Sequence, residues 1–103
     1  MTARHELPDL DAAALVAARA AEVLLAAALE RGSRRWVQHL APLPDRLRDD
    51  PPQELRKAAR LGRAAYGPKD SIRDALPADL TEPFLEALDR LLKALARWEA
   101  HRS

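Results

Sequence analysis

The chain has 103 residues and a net charge of +1, which suits one domain with one modest core and by itself indicates no polyanionic partner. Alanine and leucine supply 40 residues, whereas valine, isoleucine and threonine together supply 6, so the composition favours helices over strands. Cysteine is absent, which excludes disulfide scaffolds, cysteine-based zinc sites, iron–sulfur clusters and thiol catalysis.

The first predicted helix starts near Asp9 or Asp11, either of which can cap free N–H groups, and stops at Gly32. Its apolar stretch, residues 12–29, is long enough for a membrane span, but Arg19 and Glu22 interrupt it and alanine inserts weakly into membranes. We therefore expect a soluble, packed helix with no membrane span. Because its charged residues occupy a sector of about 100° on a helical wheel, most of its circumference is apolar. Such a helix either lies centrally in a bundle or also packs against another chain.

Prolines and glycines mark the next elements. A short helix is predicted to begin at the cap Ser33 and to end at Pro42 and Pro44. A further helix begins after the cap Asp50, with proline at its first position, and ends at Gly67, where glycine permits a left-handed stop.

This further helix carries one face of basic side chains in the most basic part of the chain. Residues 31–73 hold 11 basic and 5 acidic groups, and both flanking segments are acidic. The candidate nucleic-acid-binding residues are Arg56, Lys57, Arg60 and Arg63. Side chains that could read base edges are missing beyond Gln53, so we favour a solvated face that pairs with the acidic end helices. On the opposite face, Gly62 indicates a close approach of another helix.

The stretch "YGPKDSIRDALP" at residues 66–77 is predicted to be a joint between helices. Ser71 and Asp74 form a capping box, and the single turn that follows would bury Ile72 and Leu76 before Pro77 ends it. The aspartates of this stretch lack the spacing of a calcium loop. The alternative to a joint is a binding loop.

The stretch "PKDSIRDALP" also resembles the signature of the YkvA-like family of small helical proteins of unknown function. The matching positions are Pro68, Asp70, Ile72, Asp74 and Pro77, and the likeness could extend over residues 47–95. The family has apolar residues where this chain has Lys69, Ser71 and Arg73. The resemblance implies a helical fold, and it implies no activity.

The last predicted helix, residues 81–102, starts at the cap Thr81 and shows the strongest periodicity in the chain. Apolar residues recur at steps of 4, 3, 4 and 3. They form the candidate interface, which consists of Phe84, Leu88, Leu91, Leu95 and Trp98. This row fits either an intramolecular core or an interface between two copies.

Chemistry-bearing patterns are few. The histidines His5, His39 and His101 lie in different elements without a companion at helical spacing, so we expect no metal site. Arg34 and His39 form an R-x4-H string like that of helical HEPN-type ribonucleases, but the polar residue that usually follows the arginine is missing. We therefore expect no catalytic residue and no cofactor.

Together these patterns predict an all-α bundle of four to five helices that forms a single domain over residues 1–103. The excess of apolar helix surface favours a homodimer, so we expect a non-catalytic interaction or regulatory module that self-associates, with a protein partner as a further option. The N-terminal residues show no secretory signal, which favours a cytoplasmic protein. The first alternative is a sequence-tolerant nucleic-acid-binding protein that uses the Arg-rich helix, and the second is a ribonuclease-like enzyme.

Overall fold

The computed structural model describes residues 2–102, and no strand occurs among them. The helices in chain order are α1 (Pro8–Glu30), α2 (Arg34–Leu40), α3 (Leu43–Asp49), α4 (Pro52–Arg63), the single-turn α5 (Ile72–Ala75) and α6 (Ala78–Arg102). Short 3-10 turns occupy Arg4–Glu6 and Ala64–Tyr66. The predicted all-α bundle is confirmed.

The core forms where the two long helices, α1 and α6, pack against each other along their lengths. α1 also contacts α2 and α3, and α4 packs against α6 and α3. The inner side of α1 is mostly alanine, which lets the leucines of α6 approach its backbone closely. The buried residues of α1 are Leu10, Ala14, Ala17, Ala18, Ala21, Leu24, Ala27 and Ala28. The inner side of α1 is therefore buried in the core, which accounts for part of its wide apolar circumference.

The close approach predicted at Gly62 is confirmed. A Cβ atom at this position would stand 2.8 Å from Cδ1 of Leu88 and 3.1 Å from Cζ of Phe84 on α6. Both neighbours are fully buried. Glycine at position 62 therefore sets the distance between α4 and α6.

The predicted boundaries around the prolines are wrong in two places. Pro44 does not end a helix but lies in the first turn of α3, a helix that the sequence pattern did not reveal. The cap of α4 is Pro51 rather than Asp50, whose carboxylate instead accepts a hydrogen bond from Arg46. Proline fits the first turn of a helix because its missing N–H would have no partner there. At the start of α2, Ser33 holds the cap position without a side-chain capping hydrogen bond.

Two further corrections concern the start of α6 and the stop after α4. α6 begins at Ala78, one turn earlier than predicted, so Thr81 lies buried inside the helix instead of capping it. Gly67 has φ −69° and needs no left-handed conformation. Instead, the left-handed residues are Asp70, with φ 53°, and Gly32, which ends α1 with φ 65° as its place after the helix predicts.

The joint between α4 and α6 agrees in part with the prediction for residues 66–77: Ser71 caps and the apolar pair is buried, but Ser71 and Asp74 do not form the predicted capping box. The hydroxyl of Ser71 accepts a hydrogen bond from the backbone N–H of Arg73 at 3.1 Å and so caps α5. Ile72 and Leu76 are both buried. The hydroxyl of Tyr66 donates to the carbonyl of Thr81 at 2.6 Å, which ties the end of α4 to the start of α6. This stretch therefore connects and positions the helices around it.

The segment before α1 is held by Arg4, whose role the sequence did not indicate. Its guanidinium donates to the Asp11 carboxylate at 2.7 Å and to the carbonyls of Leu47 and Asp50 at 2.9 and 3.2 Å. These carbonyls lie at the C-terminal end of α3, where helix carbonyls lack partners within the helix. One arginine thus fixes the beginning of α1 to the end of α3.

Candidate interaction surface

The most prominent surface feature is a row of exposed apolar side chains along α1. Leu15, Val16, Val23 and Leu29 are 43%, 55%, 48% and 60% exposed, and within residues 2–102 they are the large hydrophobic side chains with the most exposure. All four lie on the side of α1 that faces away from α6 and α3. We call this surface the α1 outer face, which comprises Ala12, Leu15, Val16, Arg19, Glu22, Val23, Ala26 and Leu29.

Two opposite charges lie in the middle of the α1 outer face. Glu22 accepts a hydrogen bond at 2.8 Å from Arg48 on α3, which also pairs with Asp45. The side chain of Arg19 is exposed and makes no ion pair or hydrogen bond with any residue between positions 2 and 102. The centre of the face therefore offers one unpaired cation beside one carboxylate.

The α1 outer face is uneven in shape, because the side chain of Val16 protrudes between two shallow hollows. One hollow, of about 210 Å³, is lined by Ala12, Ala13, Val16, Ala87 and Arg90, and it lies between α1 and α6. The other, of about 380 Å³, is lined by Leu15, Val16 and Arg19. A protruding side chain flanked by hollows is the kind of surface into which side chains of another helix can pack.

α1 is also long and apolar enough to be considered as a membrane-spanning helix. By length and composition it is the one helix in residues 2–102 that could cross a membrane. Its inner side, however, is packed against three other helices, and Arg19 and Glu22 interrupt its outer side.

The interface predicted on α6 is corrected by its burial. Phe84, Leu88, Leu91 and Leu95 have no exposed surface, because α1 and α4 cover them within the same chain, and Trp98 is half-buried. The row is therefore core rather than a surface for a second copy. The apolar surface that stays exposed is on α1. The sequence predicts that most of the circumference of α1 is apolar, but we named no residue of α1 as part of the interface. The signal was present, because Leu15, Val23 and Leu29 lie within or beside the charged sector of the helical wheel.

Two of the three arginines of the predicted nucleic-acid surface pair with acidic residues of α6. Nη2 of Arg56 lies 2.8 Å from Oε1 of Glu99, and Nε of Arg63 lies 3.5 Å from Oδ1 of Asp89. These are the partners that the charge distribution predicts for a solvated face, since α6 belongs to the acidic end of the chain.

The remaining members of that surface are exposed. Nζ of Lys57 lies 3.4 Å from Oε2 of Glu54, and Arg60 is exposed with no ion pair inside the described chain. The four basic residues do share one side of α4, but three of them lie within 3.5 Å of a carboxylate. This interleaving of charges weakens the case for a polyanion.

Arg34 and His39 of the R-x4-H string lie on different sides of α2. Nε2 of His39 lies 2.7 Å from the carbonyl of Leu61, which requires that nitrogen to carry the proton and tethers α2 to α4. Its ring also contacts Trp36 with centroids 5.7 Å apart. Arg34 is exposed, and five helical positions from His39 place it about 140° around α2. The contacts of His39 therefore join α2 to α4.

One cleft lies away from the α1 outer face. It has a volume of about 360 Å³ and lies between the start of α1 and the end of α6, lined by Glu6, Leu7, Pro8, Asp9, Leu10, Ala94, Arg97, Trp98 and His101. Its charged groups are mixed, and Arg102 stacks on the Trp98 ring at 4.6 Å. Within residues 2–102, no group of three or more histidine, aspartate or glutamate side chains is placed to hold a metal ion.

Residues 66–77, for which a binding loop is the alternative prediction, show charged side chains that are either exposed or paired within the chain. Asp70 and Asp74 are exposed. Arg73 is engaged by Glu82, with Nε–Oε2 and Nη2–Oε1 distances of 2.9 and 2.8 Å, and it lies 5.5 Å from the Tyr66 ring centroid. The hydrogen bond from Arg73 lowers the pKa of Glu82, while burial and the nearby Glu82 charge raise the pKa of Tyr66. These contacts brace the joint.

A comparison with known proteins finds no family model, no curated protein and no solved structure that matches the chain significantly. The resemblance of residues 68–77 to the YkvA-like family therefore stays a prediction.

Proposed function

We propose that this protein is a non-catalytic helical interaction module that self-associates, two copies packing through their α1 outer faces. The observation that carries the proposal is that Leu15, Val16, Val23 and Leu29, the exposed large hydrophobic residues of the described chain, all lie on this one face. Each of them is at least 43% exposed, and exposed apolar residues grouped on one face often mark an interaction surface.

A second copy fits this face better than a lipid surface does. Arg19 and Glu22 lie in its middle, and charged groups are costly to place in the hydrocarbon of a membrane. A protein partner can instead meet both charges with opposite ones. A second copy of the chain carries both of those opposite charges at the same place.

The area of the face is sufficient for a weak to moderate dimer. A helix of 23 residues is about 34 Å long, and α1 has this length. Two such helices that pack side by side, with flanking residues of α3 and α6, bury on the order of 1,000 Å² in total, the lower end for specific interfaces. We therefore expect dissociation to be measurable on dilution.

The test is the mass in solution of the whole chain, measured by sedimentation equilibrium from about 1 to about 200 µM. We expect the wild type to change from monomer to dimer in this range. Val16→Asp and Val23→Asp should each weaken the dimer at least about tenfold, because each buries a charge at the apolar contact. Ala96→Asp is the matched control, since Ala96 is exposed on α6, and it should leave the dimer intact.

Two results would overturn the proposal. The first is a monomer at every concentration; if that monomer also cosediments with vesicles of phosphatidylcholine and phosphatidylglycerol, the α1 outer face is assigned to a membrane surface instead. The second is a dimer that Val16→Asp, Val23→Asp and Ala96→Asp affect equally, which would place the contact elsewhere.

A further inference from the structure

The orientation of the two copies follows from the charges on the α1 outer face. Arg19 and Glu22 are three positions apart on α1, so they lie about one helical turn from each other near the middle of the helix. The middle of the face has one cation and one carboxylate, and the two further charges on this side of the helix, Asp11 and Glu30, lie near its two ends. How two such faces meet therefore decides whether like or opposite charges are brought together.

In a parallel arrangement about a two-fold axis, every residue lies beside its own copy. Arg19 would then face the partner's Arg19, and Glu22 would face the partner's Glu22. Like charges that face each other across an interface are unfavourable, above all where apolar side chains exclude water around them. The parallel arrangement is therefore disfavoured by the centre of the face.

In an antiparallel arrangement, the two-fold axis can pass at the height between residues 20 and 21. Two residues of different copies are then at the same height along the helices when their numbers sum to 41. Arg19 then lies level with the partner's Glu22, and Leu15 lies level with the partner's Ala26. Val16 and the partner's Val23 are within about 3 Å of the same height at 1.5 Å of rise per residue. A large side chain thus meets a small one, and each cation meets a carboxylate.

We infer that the dimer is an antiparallel pair of α1 helices in which Arg19 of each copy forms an ion pair with Glu22 of the other. This inference rests on the proposed self-association. It explains why Arg19 has no partner within the described chain, whereas Glu22 has Arg48. A carboxylate has two oxygens and can accept from two guanidinium groups, so Arg48 can keep its contact while Arg19 of the other copy adds a second.

Disulfide mapping tests the orientation directly, because the chain contains no cysteine. Two single variants, Leu15→Cys and Ala26→Cys, are made at exposed positions and oxidised alone and as a mixture. In the antiparallel pair, each position lies about 16 Å along the axis from its own copy, which is too far for a disulfide, while position 15 lies level with position 26. The mixture should therefore cross-link, and neither variant alone should.

Charge reversal tests the ion pair in the same dimer. Arg19→Glu should raise the dissociation constant at least about tenfold, because four carboxylates then meet at the centre. The double variant Arg19→Glu, Glu22→Arg should recover part of that loss, since the pairs across the interface are restored with opposite sign while Arg48 loses its carboxylate. Circular dichroism of each variant checks that the helices are retained, which we expect because both side chains are exposed.

The outcomes separate the orientation from self-association itself. Self-cross-linking of each cysteine variant alone would show a parallel pair and overturn the inference while leaving the dimer. A dimer whose mixed cysteine variants do not cross-link, or one in which the double charge variant dissociates as much as Arg19→Glu, would also overturn the inference. A monomeric wild type would overturn the proposed function as well.

Discussion

Replacing Gly62 with alanine sets two effects of known size against each other. On an ordinary helix the change stabilises by about 1 kcal/mol, because alanine is the better helix former. Here the new Cβ would stand 2.8 Å from Leu88, closer than real Cβ atoms are found, and 3.1 Å from Phe84, tighter than most real Cβ contacts. Both neighbours are fully buried, so they cannot move away without displacing the core between α1 and α6.

The change in the free energy of unfolding is the difference between the cost of overpacking and the gain in helix propensity. Overpacking a closed core costs about 1–3 kcal/mol, which exceeds the gain in helix propensity. We expect Gly62→Ala to lower the free energy of unfolding by about 1 kcal/mol and the melting temperature by about 5 °C. The assay is urea unfolding followed by far-ultraviolet circular dichroism, at one fixed protein concentration because self-association adds to stability.

The other two glycines are matched controls. Gly67 has φ −69°, and a Cβ there would lie 3.7 Å from the nearest backbone oxygen, so Gly67→Ala should stabilise by about 0.5 kcal/mol through the unfolded state. Gly32 has φ 65° in open space, so Gly32→Ala should cost about 1 kcal/mol from backbone strain alone. If Gly62→Ala stabilised the protein as much as Gly67→Ala, the close contact of α4 with α6 would be refuted.

Three further predictions concern the polar contacts that hold the helices together. Arg4→Ala should cost about 2 kcal/mol in urea unfolding, because it removes a largely buried cation and leaves carbonyls of α3 without a donor, whereas Arg46→Ala should cost less than about 0.5 kcal/mol. Tyr66→Phe should cost about 1 kcal/mol, with no change between neutral and mildly alkaline pH, because the raised pKa of Tyr66 keeps its hydroxyl a donor. Arg73 lowers the pKa of Glu82, so this pair stabilises the fold above the ordinary glutamate pKa of about 4.3 and loses that contribution as pH falls through the lower folded value; the melting temperatures of wild type and Glu82→Gln should therefore converge below about pH 4.

The sequence was sufficient for the fold class and for the local devices at the joint. Ser71 caps α5, Ile72 is buried and Gly62 lies at a helix contact, as their residue types predict. Each of these inferences depends on one residue and its near neighbours in the chain. Helix propensity and turn chemistry act over that range and can be applied without the structure. The cap rule succeeded at Ser71 but failed at Ser33, Asp50 and Thr81.

Features that depend on which helices meet could not be obtained in this way. Pro44 has a different meaning inside a first turn than at a helix end, and the pattern around it allows both. The row from Phe84 to Trp98 has the same periodicity whether α1 or a second chain covers it. Val16 and Val23 are exposed because α6 and α3 pack against the other side of α1. A local sequence pattern cannot predict which side of a helix its neighbours cover.

The most direct test of self-association through the α1 outer face is the position of methyl NMR signals on dilution, with leucine and valine methyl groups labelled in the wild-type chain. We expect the signals of Leu15, Val16, Val23 and Leu29 to shift with protein concentration along one common binding curve, while those of the buried Leu91 stay constant. Signals at these four residues that do not change over a concentration range in which the mass of the protein doubles would contradict the account.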